Sequence, residues 1–379
     1  MEFIDLKSQY LAYKEDIDAA VMAVMRDAQF IGGSEVVSFE EELAEYVGRA
    51  YCVSCGNGTD ALQLAYMAYG VSSGDAVFCP DMTFISSVEP AVMLGATPVF
   101  CDIDPATYNI DPGDLERKID EVKQAGVLRP RFVVAVDFLG TPADYPGLQA
   151  VCEKHNLVLI EDAAQGIGGF YNDRMLGSFG DVATTSFFPS KPLGCFGDGG
   201  AIFTDDEEVA RLLRSIKVHG KGKSKYDNVR IGVNSRLDNL QAAVLRVKLS
   251  HLGEEMLVRQ DIAERYNDAL SACIQCPSVP KGGRSAYAQY VLVAKNPEER
   301  KRLMEALNAQ DIPSLIYYPN TMREMDAFGE VSPDETSYAY WYAKRNLVSR
   351  KTDFGLVGTV KRRRLKGSVS LCKATHRFL

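Results

Sequence analysis

Between residues 76 and 204 the chain repeats one pattern: a short apolar run, then a helical stretch. The runs cover 76–79, 98–102, 132–137, 157–161, 183–188 and 200–204. Most are apolar throughout and do not alternate with polar residues. Strands of that kind are buried on both faces, which predicts a mostly parallel sheet with helices on either side. The spacing predicts helices over 60–69, closed by Gly70, and over 206–218, closed by Gly220, with a further crossover helix over 146–155. A long helical pattern over 237–267 links this unit to a second one. There, 286–294 reads as a strand, Pro297 as a helix start, 300–309 as a helix and 312–318 as another strand. With 379 residues the chain is expected to form two α/β domains, a large one over 1–250 and a small one over 251–343, followed by an atypical tail over 344–379.

Hydrophobic residues make up 46% and charged residues 25%, ordinary globular values that exclude a disordered or fibrous chain. No apolar run approaches the ~18 residues that a membrane-spanning helix needs. Residues 1–9 carry Glu2 and Asp5 and lack a basic-then-apolar export signal, so the expected location is cytoplasmic. The nine cysteines are then expected to be reduced. The spacings Cys52/Cys55 and Cys273/Cys276 admit a zinc or redox site, but buried thiols packing as small hydrophobes explain them better, and no metal is expected. The net charge is −9, yet residues 344–379 carry eleven Lys/Arg against one acid, Asp353. The rest is strongly acidic, a poor surface for nucleic acid. The run 361–364 could bind an anion, but a solvated or disordered end is the favoured account.

Three segments carry the chemistry. Asn57-Gly58-Thr59-Asp60 ends a strand and opens a helix, so free backbone N–H groups face outward and suit a phosphate. Asp162 ends an apolar strand at the edge where open α/β sheets bind ligands. It is placed to meet a positively charged ring nitrogen; alone, it would more simply be a helix cap. Lys191 follows the run 183–188 and precedes the glycine-rich bend 194–200. It can therefore enter an enclosed site with its pKa lowered by desolvation, as imine chemistry requires. A phosphate cradle, a strand-end aspartate and a later lysine together fit pyridoxal phosphate.

The chain resembles the DegT-like nucleotide-sugar aminotransferases, which have the fold-type-I, aspartate aminotransferase-like architecture. The segments that carry the resemblance are Phe3-Ile4-Asp5-Leu6, Asn57-Gly58-Thr59-Asp60-Ala61-Leu62, Glu161-Asp162-Ala163-Ala164-Gln165, Ser186-Phe187-Phe188-Pro189-Ser190-Lys191 and Gly232-Val233-Asn234-Ser235-Arg236-Leu237. The resemblance implies that Lys191 takes the cofactor aldehyde and moves protons between cofactor and substrate carbons. It implies that Asp162 keeps the ring nitrogen protonated, Gln165 meets the ring hydroxyl and Phe84 stacks on the ring. Gly58, Thr59, Asp60 and Ser186 would hold the phosphate. Asn234 would reach it from a neighbouring subunit, making a homodimer with shared sites.

The family passes an amino group, usually from L-glutamate, to a keto sugar on a nucleotide. Lys217, His219, Lys221, Lys223, Lys225 and Arg230 cluster before the Asn234 segment, and with Arg236 are candidates to meet nucleotide phosphates or a sugar carboxylate. A solvated loop is the competing account. The form of residues 192–200 and of Ala286-Tyr287-Ala288-Gln289-Tyr290 resembles members that aminate C3 of a UDP-linked 2-acetamido-3-oxo-hexuronate for surface polysaccharide. Those members carry a His-Tyr pair where this chain has Tyr317-Tyr318, both placed here as substrate candidates. The family's closing strand and helix have no counterpart expected after about Gly329.

Three rivals stand beside this reading. A pyridoxal phosphate-dependent sugar dehydratase resembles it, but such relatives replace the lysine with histidine. A non-catalytic or regulatory binding protein would find support only in the basic tail. An NAD-dependent sugar-nucleotide dehydrogenase needs G-x-G-x-x-G, and Cys55-Gly56-Asn57-Gly58 lacks the third glycine at its spacing.

Overall fold

The continuous apolar runs do pair into one sheet. In the computed structural model, which describes residues 4–224, 226–329 and 333–349, seven strands form it: β1 (Tyr51–Cys55), β2 (Asp75–Pro80), β3 (Thr97–Cys101), β4 (Arg129–Val136), β5 (Val158–Asp162), β6 (Val182–Ser186) and β7 (Gly200–Thr204). Their order across the sheet is β1-β7-β6-β5-β4-β2-β3. Neighbours from β6 to β3 are parallel, whereas β7 runs antiparallel to both β1 and β6. β2 and β7 are buried along their whole length, as strands covered on both faces must be. Helices from both sides supply the cover, among them Ser34–Val47, whose Phe39 and Leu43 are fully buried, and Pro112–Ala125, which buries Leu115 and Ile119.

Caps fix where the helices begin. Asn57 accepts from Asp60 N–H at 2.8 Å, starting helix Gly58–Ala68, and Asp206 caps helix Glu207–Ile216 in the same manner. The long helix Asn239–Leu270 runs from the large unit into the small one.

The small unit holds a three-stranded antiparallel sheet in the order Val291–Val293, Asn346–Ser349, Ser314–Leu315. The central strand lies beyond residue 343, and helix Tyr338–Ala343 precedes it. A strand and helix therefore follow Gly329 after all, and the first residues of the expected tail belong to this sheet; residues 350–379 lie outside the described residues. The strand expected over 286–294 is much shorter. Tyr287 is left-handed at φ 41°, and the N–H groups of Ala286 and Gln289 donate to Gly140 and Leu139 of the large unit instead of to a ladder.

Two carboxylates join the units. Asp102 accepts from the N–H groups of Tyr338 and Ala339 at 2.9 Å, starting that helix. Buried Asp81 pairs with Arg323 Nε at 2.6 Å and accepts from its N–H at 3.0 Å. Burial raises the Asp81 carboxyl to about 6 against the pull of Arg323.

Cys52 and Cys55 are free buried thiols. Burial drives Cys52 well up and Cys55 to about 12, so neither is a reactive thiolate. Cys276 is also free. Among the described residues, none of the His, Cys, Asp and Glu groups is arranged to hold a metal. No described helix is long and apolar enough to cross a membrane.

Candidate active site

The C-terminal ends of β1, β5 and β6 bring the three sequence segments to one edge. The turn after β1 leaves residues 56–60 half-buried, with the first N–H groups of helix Gly58–Ala68 at the surface of the cleft. Two glycines let this turn lie against the sheet. A Cβ on Gly58 would meet Ser186 Cβ at 2.6 Å, and one on Gly200 would meet the Asn57 carbonyl oxygen at 2.4 Å. Thr59 Oγ1 lies 2.9 Å from Ser86 Oγ. Ser235 donates its hydroxyl to Asp60 at 2.6 Å and accepts from Gly56 N–H at 2.8 Å, tying the 232–237 segment to the cradle.

Asp162 ends β5 and is 5% exposed. Its Oδ2 accepts from Ser87 Oγ at 2.8 Å, and its Oδ1 from Ala164 N–H at 3.2 Å. Burial raises its pKa; the Ser87 and Ala164 bonds and the charge of Lys191 oppose that rise. Thr83 Oγ1, 2.9 Å from Ser87 Oγ, extends the chain of hydroxyls.

Lys191 leaves β6 through a closed loop. Phe187 N–H donates to Gly199 O at 2.7 Å, Cys195 N–H to Phe187 O at 2.8 Å, and Lys191 N–H turns back to Phe188 O at 2.8 Å. The residue as a whole keeps partial access to solvent, but its amine is buried. Desolvation lowers its pKa, and the charge of Asp162 partly restores it. An amine shifted toward its neutral form beside a buried carboxylate is the combination that binding an aldehyde and a pyridinium together requires.

Aromatic and amide groups line the rest. Phe84, between Thr83 and the Ser87 anchor, is 54% exposed. Its ring lies 6.0 Å from that of Tyr318, which lies 6.1 Å from Phe138. Gln165 accepts from Leu139 N–H at 2.5 Å and hydrogen-bonds Tyr318. Tyr318 thus joins the same cleft. Tyr317 is held at its backbone, its N–H donating to Asn346 Oδ1 at 2.9 Å. Asn234 and Arg236 are exposed on a ribbon bridged through Val218 and Asn234. His219 is also exposed, left-handed at φ 57°. Of the basic cluster, Lys217 is committed elsewhere, donating to Ser54 O at 2.7 Å and to Glu40 at 3.3 Å. Lys225 lies outside the described residues.

Sequence reasoning did not single out Ser87 or Ser86, since neither stands in a motif. Ser235 had a signal, lying within the quoted Asn234-Ser235-Arg236 segment, and it is this residue that meets Asp60.

Comparison with known proteins agrees with this geometry. Residues 12–349 match the DegT/DnrJ/EryC1/StrS aminotransferase family. The chain is 43% identical over 331 residues to UDP-2-acetamido-2-deoxy-3-oxo-D-glucuronate aminotransferase of Pseudomonas aeruginosa, covering 87% of this chain and 89% of that protein. A DegT DnrJ EryC1 StrS aminotransferase from Brucella abortus superimposes with a TM-score of 0.93 at 41% identity, over 100% of this chain and 99% of that one. DesV of S. venezuelae in complex with a ketimine intermediate does so with a TM-score of 0.90 at 32% identity, over 100% and 98%.

Proposed function

The chain belongs to the DegT/DnrJ/EryC1/StrS aminotransferase family, and from that premise we propose that it moves an amino group from L-glutamate to a keto sugar carried on a nucleotide. The sugar we favour is a UDP-linked 3-keto sugar of the 2-acetamido-hexuronate kind, made for surface polysaccharide or glycan. The enzyme is a pyridoxal phosphate-dependent transaminase. The observation that carries the reading is the desolvated Lys191 amine under the charge of buried Asp162, beside an open helix start.

When bound, pyridoxal phosphate supplies an aldehyde and an electron-withdrawing ring. Lys191 Nζ would hold the group through its aldehyde and, once displaced by the incoming substrate amine, would be free to carry a proton from one substrate carbon to another. The Asp162 carboxylate holds a proton at the ring nitrogen, which keeps the ring electron-poor. Thr59, Asp60 and Ser186, with the N–H groups at Gly58, bind the phosphate. Phe84 would shield the ring from water, and Gln165 would meet the ring hydroxyl. Arg236, His219, Tyr317 and Tyr318 are assigned to the sugar nucleotide.

The active unit is proposed to be a cytoplasmic homodimer in which Asn234 serves the neighbouring subunit's phosphate. The ribbon that carries Asn234 also exposes Tyr226 at 85%, Val229 at 55% and Ile231 at 87%, an apolar cluster that favours cover by a partner. The test is a panel of keto-sugar nucleotides incubated with glutamate and read by mass for amine formation. Amination of a UDP-linked 3-keto sugar supports the proposal; turnover confined to other classes of acceptor contradicts it.

A further inference from the structure

A lysine in the long helix, behind the Lys191 loop, has no part in the chemistry assigned so far. Lys248 is 3% exposed, in the first third of helix Asn239–Leu270. Its ammonium donates to the carbonyl of Gly194 and stands 5.4 Å from the Phe196 ring centroid. Both partners lie in the loop that leaves Lys191. Gly194 is itself pressed onto the turn: a Cβ there would meet Pro189 O at 2.6 Å and Phe188 O at 2.8 Å. Phe188 O is the acceptor of the Lys191 N–H. A shift of Gly194 is therefore transmitted directly to the backbone that carries Lys191.

Other contacts hold the same loop. Gln241, on the same long helix, accepts from Phe196 N–H at 2.8 Å. Tyr10, on helix Leu6–Ala12, meets the Phe196 ring edge-on at 6.0 Å. Behind Lys248 stands Glu255, 8% exposed, which accepts from Gln9 at 3.1 Å and Tyr13 at 3.0 Å. A buried ammonium in this position needs both an acceptor and a counter-charge, and here the loop carbonyl and Glu255 supply them.

We propose that Lys248 is a positioning residue for Lys191, clamping the loop from the side away from the cleft through Gly194 and Phe196. This rests on Lys191 being the residue that takes the cofactor aldehyde. The charged and titratable groups facing Lys248 are Glu255 and Arg259 on its own helix and Cys195 on the loop; burial brings its pKa down to about 8. Loss of the proton weakens both the charge-assisted bond and the ring contact.

The test is Lys248→Met in the cofactor-loaded enzyme, with a pH titration of the visible absorbance of the lysine-bound cofactor. The apparent pKa of that band is expected to shift, and kcat to fall roughly tenfold or more at nearly unchanged KM, because small misplacements of a reacting group are costly. A band that titrates as in wild type, with wild-type kcat, overturns the proposal. A purely structural role would lower the melting temperature and leave the band's pKa alone. If the variant does not fold, amide exchange of wild-type holoenzyme decides. Protection at Lys191 and Cys195, corrected for intrinsic rate, should drop severalfold as pH rises through ~8, and unchanged protection overturns it. Failure of either arm leaves the cofactor's attachment to Lys191 intact, since that is measured separately by peptide mapping.

Discussion

Ser87 donates its hydroxyl to Asp162 Oδ2 at 2.8 Å, joining residues 75 positions apart in sequence. The bond helps keep a buried carboxylate ionised where burial pushes its pKa up. Ser87→Ala removes that support, so Asp162 takes up its proton at higher pH. We expect kcat to fall roughly tenfold, with the acid limb of the pH–rate profile moved to higher pH. An unmoved acid limb would rule out this role for Ser87.

Gly58→Ala puts a methyl group where Ser186 Cβ would stand 2.6 Å away. Overpacking of this kind costs about 1–3 kcal/mol. The expected result is a melting temperature lower by a few degrees and weaker retention of cofactor on dialysis. Ser186 on β6 is one wall of the cradle, so both effects should appear together. A variant that melts lower but holds cofactor normally would separate Gly58 from phosphate binding.

Arg236→Ala tests the exposed ribbon. The KM for the sugar nucleotide should rise about tenfold with kcat little changed, the signature of lost uniform binding. An unchanged KM removes Arg236 from the substrate site.

Buried Asp137 accepts from Tyr145 at 2.7 Å and faces Glu161, whose oxygens accept from Gly177 and Phe179 N–H at 2.6 Å. Burial and then the charge of Glu161 raise the Asp137 pKa well above the carboxylate range. A carboxyl with a raised folded pKa stabilises the fold at low pH, and that contribution is lost as pH rises through the folded value. Asp137→Asn should therefore flatten the part of the decline in stability that runs from the ordinary carboxylate range up to the raised folded value, read as melting temperature against pH. An equally steep or steeper decline with rising pH in the variant would contradict the assignment.

The large sheet was legible because most of its strands are buried along most of their length, and that makes a run such as 76–79 apolar throughout. Lys191 and Asp162 were legible for a related reason, as charged residues at the ends of apolar runs. Residues 286–294 misled because their burial looks like a strand, while the left-handed Tyr287 and the bonds to Gly140 and Leu139 arise only from the fold. Asn346–Ser349 was hidden next to a basic stretch whose charge suggested a solvated end. Ser87 and Lys248 were invisible for want of local pattern. A lysine among Val247 and Leu249 reads as a solvated position until the helix is seen to carry it behind the Lys191 loop.

The central claim is that one amine, Lys191 Nζ, holds the cofactor. The direct measurement is borohydride reduction of the holoenzyme followed by proteolysis and mass mapping. The account predicts a single cofactor-sized addition on the peptide containing Lys191, and no addition, visible band or turnover in Lys191→Ala. An addition on another lysine, or a coloured and active Lys191→Ala enzyme, would contradict it.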